Sequence, residues 1–148
     1  MPANNLPKDF LNTVCAGNAE AVDFLTRWGK YLRLVDNVID ENLWDEEHLV
    51  EVFCAGCEFY SLPFYQKNKA ALQMPILLAT NYFSVSAKWE HSDELWKRQW
   101  ADVLRHADGY VISAVTMLCG GWDLMASTTS PFMAACYIDH KDRHGVPT

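Results

Sequence analysis

The stretch SDELWKRQWADVLRHADGYVISAVTMLC, residues 92–119, is the longest uninterrupted helical pattern in the sequence. Ser92 is a suitable N-cap, because its hydroxyl can accept a backbone N–H of the first helical turn. Apolar side chains then recur at three- and four-residue steps, which predicts one long central helix over about residues 93–119 with a single apolar stripe. The members of that stripe are Trp96, Trp100, Val103, Ala107, Tyr110, Val111, Ala114 and Leu118.

Aromatic side chains at helical spacing usually belong to a protein core. We therefore expect Trp96 and Trp100, together with Trp89, to be buried, the alternative being that they line a pocket for an apolar ligand. The run from Tyr110 to Cys119 is apolar nearly all the way round the helix. It predicts either the centre of a bundle or a contact between subunits, and it is shorter than the roughly 20 apolar residues that span a bilayer.

The rest of the chain predicts further helices and no sheet, because no segment alternates apolar and polar residues convincingly. The sequence thus indicates an all-α fold, a compact bundle of four to five main helices that forms one domain over residues 1–148. Asn18 and Asp45 are the predicted N-caps of the first two main helices. The predicted helices cover residues 19–40, 45–60 and 76–89, with one or two turns in 64–73 and a weaker apolar segment in 132–138.

The two ends of the chain are not predicted to form main helices. Pro2, Pro7 and Gly17 predict an extended N-terminal arm over residues 1–17, with a short helical turn around residues 9–14. A loop is predicted over residues 127–131, and residues 139–148 are predicted to be a polar C-terminal tail.

Composition excludes several classes of partner. The chain has a net charge of −7, from 12 basic and 19 acidic residues, and such a balance disfavours nucleic acid. The N-terminus lacks a basic region followed by an apolar core, so we expect no signal peptide and no membrane partner. Five cysteines, an odd number, favour reduced thiols. We therefore expect a soluble, acidic, cytoplasmic protein.

Asp36, Asp40 and Glu41 form the candidate metal site. Asp36 and Asp40 are four residues apart, so on a helix both carboxylates lie on one face and suit Mg²⁺ or Mn²⁺. The segment DNVIDE, residues 36–41, resembles over these six residues the aspartate-rich motif of isoprenoid synthases. It departs from that motif at Asn37, where the family usually has Asp, and no second such motif is present. An ordinary solvated helix face accounts for the same pattern.

Two further patterns can carry chemistry. Asp102 and His106 are one helical turn apart and are the candidate catalytic residues, because a carboxylate can orient an imidazole as a base. Cys54 and Cys57 form a CxxC pattern, which suits thiol redox chemistry or half of a zinc site. We expect these two thiols to be buried, since free cysteine is among the most buried residue types.

No complete catalytic set is present, which favours a structural or interaction module that forms homo-oligomers. The alternative is a divalent-metal-dependent helical enzyme acting on a phosphorylated or pyrophosphate substrate. In that enzyme Asp36 and Asp40, with Glu41, would hold Mg²⁺ or Mn²⁺, and Asp102 and His106 would contribute from a facing helix. The identity of a protein partner or small molecule is left open by the sequence.

Overall fold

A computed structural model describes the backbone of residues 8–144 and the side chains of residues 9–134. Every regular element in this part of the chain is helical, which confirms the all-α fold class. The six α-helices are α1 (Lys8–Val14), α2 (Ala19–Asp40), α3 (Glu46–Ser61), α4 (Pro63–Trp89), α5 (Leu95–Arg105) and α6 (Gly109–His144). A 3₁₀ turn, His106–Asp108, joins α5 to α6.

The first two main helices begin where their capping residues predict. The Asn18 side chain accepts a hydrogen bond from the Ala21 backbone N–H at 3.2 Å. The Asp45 side chain accepts one from the His48 backbone N–H at 3.1 Å. Each bond satisfies a donor that the first helical turn would otherwise leave without a partner. The predicted starts of α2 and α3 are therefore confirmed.

The predicted helix over residues 93–119 is present, but as two helices and a 3₁₀ turn. Its first residue is Leu95, because Ser92 instead accepts the Glu94 backbone N–H in the turn before α5. The 3₁₀ turn has three residues per turn instead of 3.6, so it changes the phase between α5 and α6. The predicted stripe therefore differs in burial on the two sides of the turn, since Val103 of α5 is exposed and Val111 of α6 is buried.

The helix after the 3₁₀ turn is longer than predicted. Gly121 bends it with a positive φ of 75°, a conformation that favours glycine. The predicted loop over residues 127–131 is helical, and hydroxyls of Ser127, Thr128 and Thr129 donate to carbonyls of Leu124 and Met125. Residues 139–144 of the predicted polar tail continue α6, and no glycine or proline follows Pro131 before Gly145. Residues 145–148 lie outside the described part.

The short helical turn predicted around residues 9–14 of the N-terminal arm is present as α1, Lys8–Val14. Leu11, Val14 and Cys15 are buried, so the start of the described chain belongs to the core. Gly17, at φ 73°, allows the tight turn that leads into α2. The part of the predicted arm formed by residues 1–7 is outside the described residues.

The core is organised around α4, which packs against α2, α3, α5 and α6. A cluster of aromatic rings joins α2, α3 and α4. The Phe59 ring centroid is 4.9 Å from that of Phe24 and 5.2 Å from that of Trp28, and all three side chains are fully buried. Phe59 is the single buried residue of α3, so this ring carries the attachment of the helix to the bundle.

We predict that Phe59→Ala lowers the free energy of unfolding by about 3–5 kcal/mol, the usual cost of removing a large core side chain. Phe53, on the same helix, is 71% exposed. Phe53→Ala is the matched control and should change stability by less than about 0.5 kcal/mol. Urea unfolding followed by circular dichroism measures both, and equal effects would contradict the described orientation of α3.

Candidate interaction surfaces

A surface rich in aromatic residues is formed where α4, α5 and α6 meet. Trp89 and Trp96 contact edge to face, with ring centroids 5.4 Å apart and planes at 71°. Tyr82 and Tyr110 lie 5.9 Å apart between α4 and α6. We call this surface the aromatic face, and it consists of Tyr82, Trp89, Trp96, Trp100, Val103, Tyr110 and Met133.

The expectation that Trp96 and Trp100 are buried is wrong. Trp100 is 55% exposed and Val103 is 60% exposed, while α5 buries only Ala101. The physical reason is that α5 packs against α4 through a small residue and a hydrogen bond, in which the Ser86 hydroxyl donates to the Ala101 carbonyl at 2.8 Å. The large side chains of α5 therefore remain outside the helix pair.

Two adjoining cavities lie along the aromatic face. One has a volume of about 360 Å³ and is lined only by Tyr82, Val85, Trp89, Trp96, Trp100 and Leu104. The other, of about 440 Å³, shares Tyr82, Trp100 and Leu104 with the first and continues to Tyr110, Phe132 and Met133. The exposed aromatic side chains thus form one continuous surface with depressions between them.

A second apolar surface lies on the outside of α3. Val50, Phe53, Cys54 and Cys57 are all exposed, and the last three lie three, four and seven residues after Val50. We call these four residues the outer strip. Such spacing places side chains along one face of a helix, as in helices that pack against another helix. In this chain the strip has no helix packed on it among the described residues.

The expectation that Cys54 and Cys57 are buried is wrong. Both thiols are free and exposed, whereas Cys15 is a buried free thiol. Burial, the larger cause, and the nearby Cys119 raise the pKa of Cys15 to about 12, so that thiol is the inert one.

The candidate metal residues lie at the end of α2. Asp36 is half-buried and Asp40 is exposed, and Glu41 is the C-cap whose backbone N–H donates to the Asn37 carbonyl. Among the side chains that the structure describes, no group of three or more His, Cys, Asp or Glu is placed to hold a metal ion. A metal ion here would therefore rest on two carboxylates and water, and the site stays a prediction.

The candidate catalytic residues face different cavities. His106 lines the cavity of about 440 Å³ on the aromatic face. Asp102 lines a separate polar cavity of about 310 Å³ between α4 and α5, together with Ser86, Glu90, Arg98 and Arg105. Arg105 there donates to the Glu90 carboxylate. The sequence placed Asp102 and His106 in one helix, but α5 ends at Arg105, between them. The catalytic role of both residues stays a prediction.

Sequence reasoning did not single out Asp108. Its side chain is buried, and neither carboxylate oxygen accepts a hydrogen bond of normal geometry from the described residues. Burial raises the pKa of Asp108 to about 6, an effect that nearby backbone N–H groups offset in part. No local pattern signals this burial, because it results from the change of phase in the 3₁₀ turn.

Comparisons with protein-family models, with curated proteins and with solved structures found no match to this chain.

One described stretch, Leu95–Ala134, is long and apolar enough to cross a membrane by length and composition alone, and the mean hydropathy of its most apolar 18-residue window is 1.2. Only 28% of its most apolar window is buried. Val111, Ile112 and Val115 from this stretch nevertheless lie in the hydrophobic core. The stretch therefore contributes to packing of the bundle.

Asp108 generates a prediction about pH. The folded state holds the Asp108 proton up to about pH 6, whereas the unfolded chain releases it near pH 4. The folded state thus binds more protons between these values, and this group makes the protein less stable as pH rises from 4 to 6. As pH rises from 4 to 6, the free energy of unfolding of the wild type should fall relative to that of Asp108→Asn, by at most about 3 kcal/mol.

Chemical unfolding at pH 4, 5, 6 and 7 measures this difference. Asp93→Asn removes an exposed carboxylate and serves as the control, which should keep the slope of the wild type. If the free energies of unfolding of the wild type and of Asp108→Asn changed in parallel with pH, that result would contradict the burial of a protonated Asp108 carboxyl group.

Proposed function

We propose that this protein is a self-associating interaction module whose aromatic face is covered by the same face of a second copy. The observation that carries the proposal is that five large apolar side chains on this one surface are about half exposed or more. They are Trp96, Trp100, Val103, Tyr110 and Met133. Monomeric proteins rarely expose such a group of neighbouring apolar side chains without a partner.

The size of the aromatic face fits a subunit contact. Taking roughly 200 Å² for each large side chain, the five exposed residues offer about 500 Å² of apolar surface. A standard interface buries about 800 Å² on each partner. Tyr82 and Trp89, which are partly exposed, and the polar surroundings can supply the remainder. Trp, Tyr and Met are also enriched at the centres of protein interfaces.

The charges next to the aromatic face permit pairing of identical surfaces. Lys97 donates to the Glu94 carboxylate, and the Trp96 indole N–H donates to the same carboxylate at 2.8 Å. These hydrogen bonds lower the pKa of Glu94, the one from Lys97 most strongly. The rim therefore carries neighbouring charges of both signs. A two-fold contact, which brings the same patch of both subunits together, need not place like charges opposite each other.

The proposed contact overlaps only in part with the one that the sequence indicated first, because Tyr110 is the residue of that run that lies on the aromatic face. The apolar run Tyr110 to Cys119 was the reason to expect self-association, but Val111, Ile112 and Val115 of that run are buried within one chain. The cytoplasmic location stays a proposal, which the odd number of cysteines in the sequence supports.

The alternative function, a divalent-metal-dependent enzyme for a phosphorylated or pyrophosphate substrate, has its own test. It predicts that Mg²⁺ or Mn²⁺ raises the melting temperature of the wild type, because an ion that binds only the folded state stabilises it. Asp36→Asn/Asp40→Asn should abolish that rise. A wild type that melts at the same temperature with either ion and with EDTA would exclude this alternative.

Self-association predicts that Trp100→Glu/Val103→Glu weakens the dimer at least thirtyfold, since loss of a central aromatic side chain usually costs about 2 kcal/mol or more. Both positions are exposed in one chain, so the variant should fold normally. Light scattering coupled to gel filtration should report the dimer mass for the wild type and the monomer mass for the variant.

Phe53→Glu is the matched control, because it introduces the same charge at an exposed apolar position on α3. This variant should remain dimeric. A wild type that is monomeric at all accessible concentrations, or a dimer that Phe53→Glu dissociates as readily, would contradict self-association through the aromatic face.

A further inference from the structure

The negative charge of the protein is concentrated in one segment. Residues 34–66 contain no Lys or Arg, but they contain eight acidic residues, so their formal charge is −8. The net charge of the whole chain is −7, so the other residues together sum to +1. The acidic residues of the segment are Asp36, Asp40, Glu41, Asp45, Glu46, Glu47, Glu51 and Glu58.

This acidic segment contains α3 and its outer strip. Glu47, Glu51 and Glu58 follow at steps of four and seven residues, so they form a row along one edge of the strip. Glu47 and Glu51 are exposed, while Glu58 accepts a hydrogen bond from Arg27 of α2. The strip is thus an apolar surface with negative charge along its side.

The N-terminal end of the strip is acidic as well. The carboxylate of Asp45 accepts the His48 backbone N–H and contacts the His48 ring at 2.7 Å. The backbone hydrogen bond, followed by the side-chain contact, lowers the pKa of Asp45, so this carboxyl is ionised at neutral pH. Glu46 and Glu47 follow it in the first turn of α3. α3 contains no Lys or Arg that could offset these charges.

This charge distribution distinguishes the outer strip from the aromatic face. In an antiparallel two-fold pair of α3 helices, the same edge of each helix faces its copy. The Glu47 and Glu51 rows would then oppose each other, and like charges opposite each other are unfavourable. Anionic lipid and nucleic acid are repelled for the same reason. The surface is complementary to a partner that is both apolar and positively charged.

We propose that the outer strip of α3 binds a basic amphipathic helix of a partner protein. The apolar side chains of that helix, spaced at three and four residues, pack on Val50, Phe53, Cys54 and Cys57. Its Lys and Arg side chains face the row of Glu47 and Glu51. This is the helix-on-helix mode of peptide recognition, in which apolar anchors supply affinity and flanking charges select the partner.

The probe for this proposal is an 18-residue peptide of leucine and lysine, with leucines at i, i+3, i+4 and i+7 in each repeat. A leucine–glutamate peptide with the same leucine positions is the charge control. Binding of labelled peptide is followed by fluorescence anisotropy at 50 mM and 300 mM salt. We expect the lysine peptide to bind and the glutamate peptide not to bind, with weaker binding of the lysine peptide at high salt.

Two pairs of variants map the site. Val50→Ser/Phe53→Ser should weaken binding at least tenfold, whereas Met74→Ser, at an exposed apolar position of α4, should change it less than twofold. Glu47→Gln/Glu51→Gln should weaken binding at low salt and reduce its salt dependence. Asp93→Asn/Asp123→Asn removes two exposed carboxylates elsewhere and should leave both unchanged.

Cys54 and Cys57 report the position of the peptide in the wild type. Bound peptide should slow alkylation of these two thiols, measured by mass spectrometry, and leave the rate at the partly buried Cys119 unchanged. Trp100→Glu/Val103→Glu should bind the peptide normally, which separates this proposal from self-association. Absence of binding, equal loss in the control variants, or unprotected Cys54 and Cys57 would each overturn it.

Discussion

The contact of Phe59 with Phe24 and Trp28 is the interaction on which the arrangement of the helices depends. Phe59 is fully buried and joins α3 to α2, and its ring also lies 6.0 Å from that of Tyr65 on α4. Since α3 buries no other residue, this ring determines which side of the helix faces inwards. The opposite side, with Phe53 and the two cysteines, consequently faces outwards.

At the other end of the bundle, α4 and α5 approach closely at Ala101 and Ser86, where the side chains are small. The consequence is that Trp96 and Trp100 project beyond the pair. The aromatic face and the outer strip are thus both exposed on one small bundle. Their charges differ, because Glu94 and Lys97 balance each other at the aromatic face, whereas the outer strip lies on a helix that carries acidic residues and no Lys or Arg.

Sequence patterns predicted the helices better than they predicted the burial of side chains. Asn18 and Asp45 determine local hydrogen bonds, so the starts of α2 and α3 could be predicted from residues within one turn. An apolar stripe predicts that one face of a helix is covered, but it does not indicate whether the same chain or another molecule covers that face. Trp100 and Val103 satisfy the spacing of a core stripe and are nevertheless exposed.

The remaining differences have similar causes. The 3₁₀ turn at His106–Asp108 changes the helical phase, and the burial of Asp108 depends on that change and on packing from distant helices. The hydroxyls of Ser127 and Thr128 suggest a loop, but they bond back to Leu124 and support the helix instead. The outer strip could have been recognised from the absence of Lys and Arg in residues 34–66, although only the position of Phe59 shows which face is free.

The most direct test of the central claim, that a second copy covers the aromatic face, is hydroxyl-radical footprinting of the wild type over a range of protein concentrations. Oxidation of Trp96, Trp100 and Met133 should fall as concentration rises, because dimerisation excludes water from these side chains. Oxidation of Trp44, which is 58% exposed and lies outside the aromatic face, should stay constant. Oxidation of Trp96 and Trp100 that does not depend on concentration, or that falls in parallel with Trp44, would contradict the account.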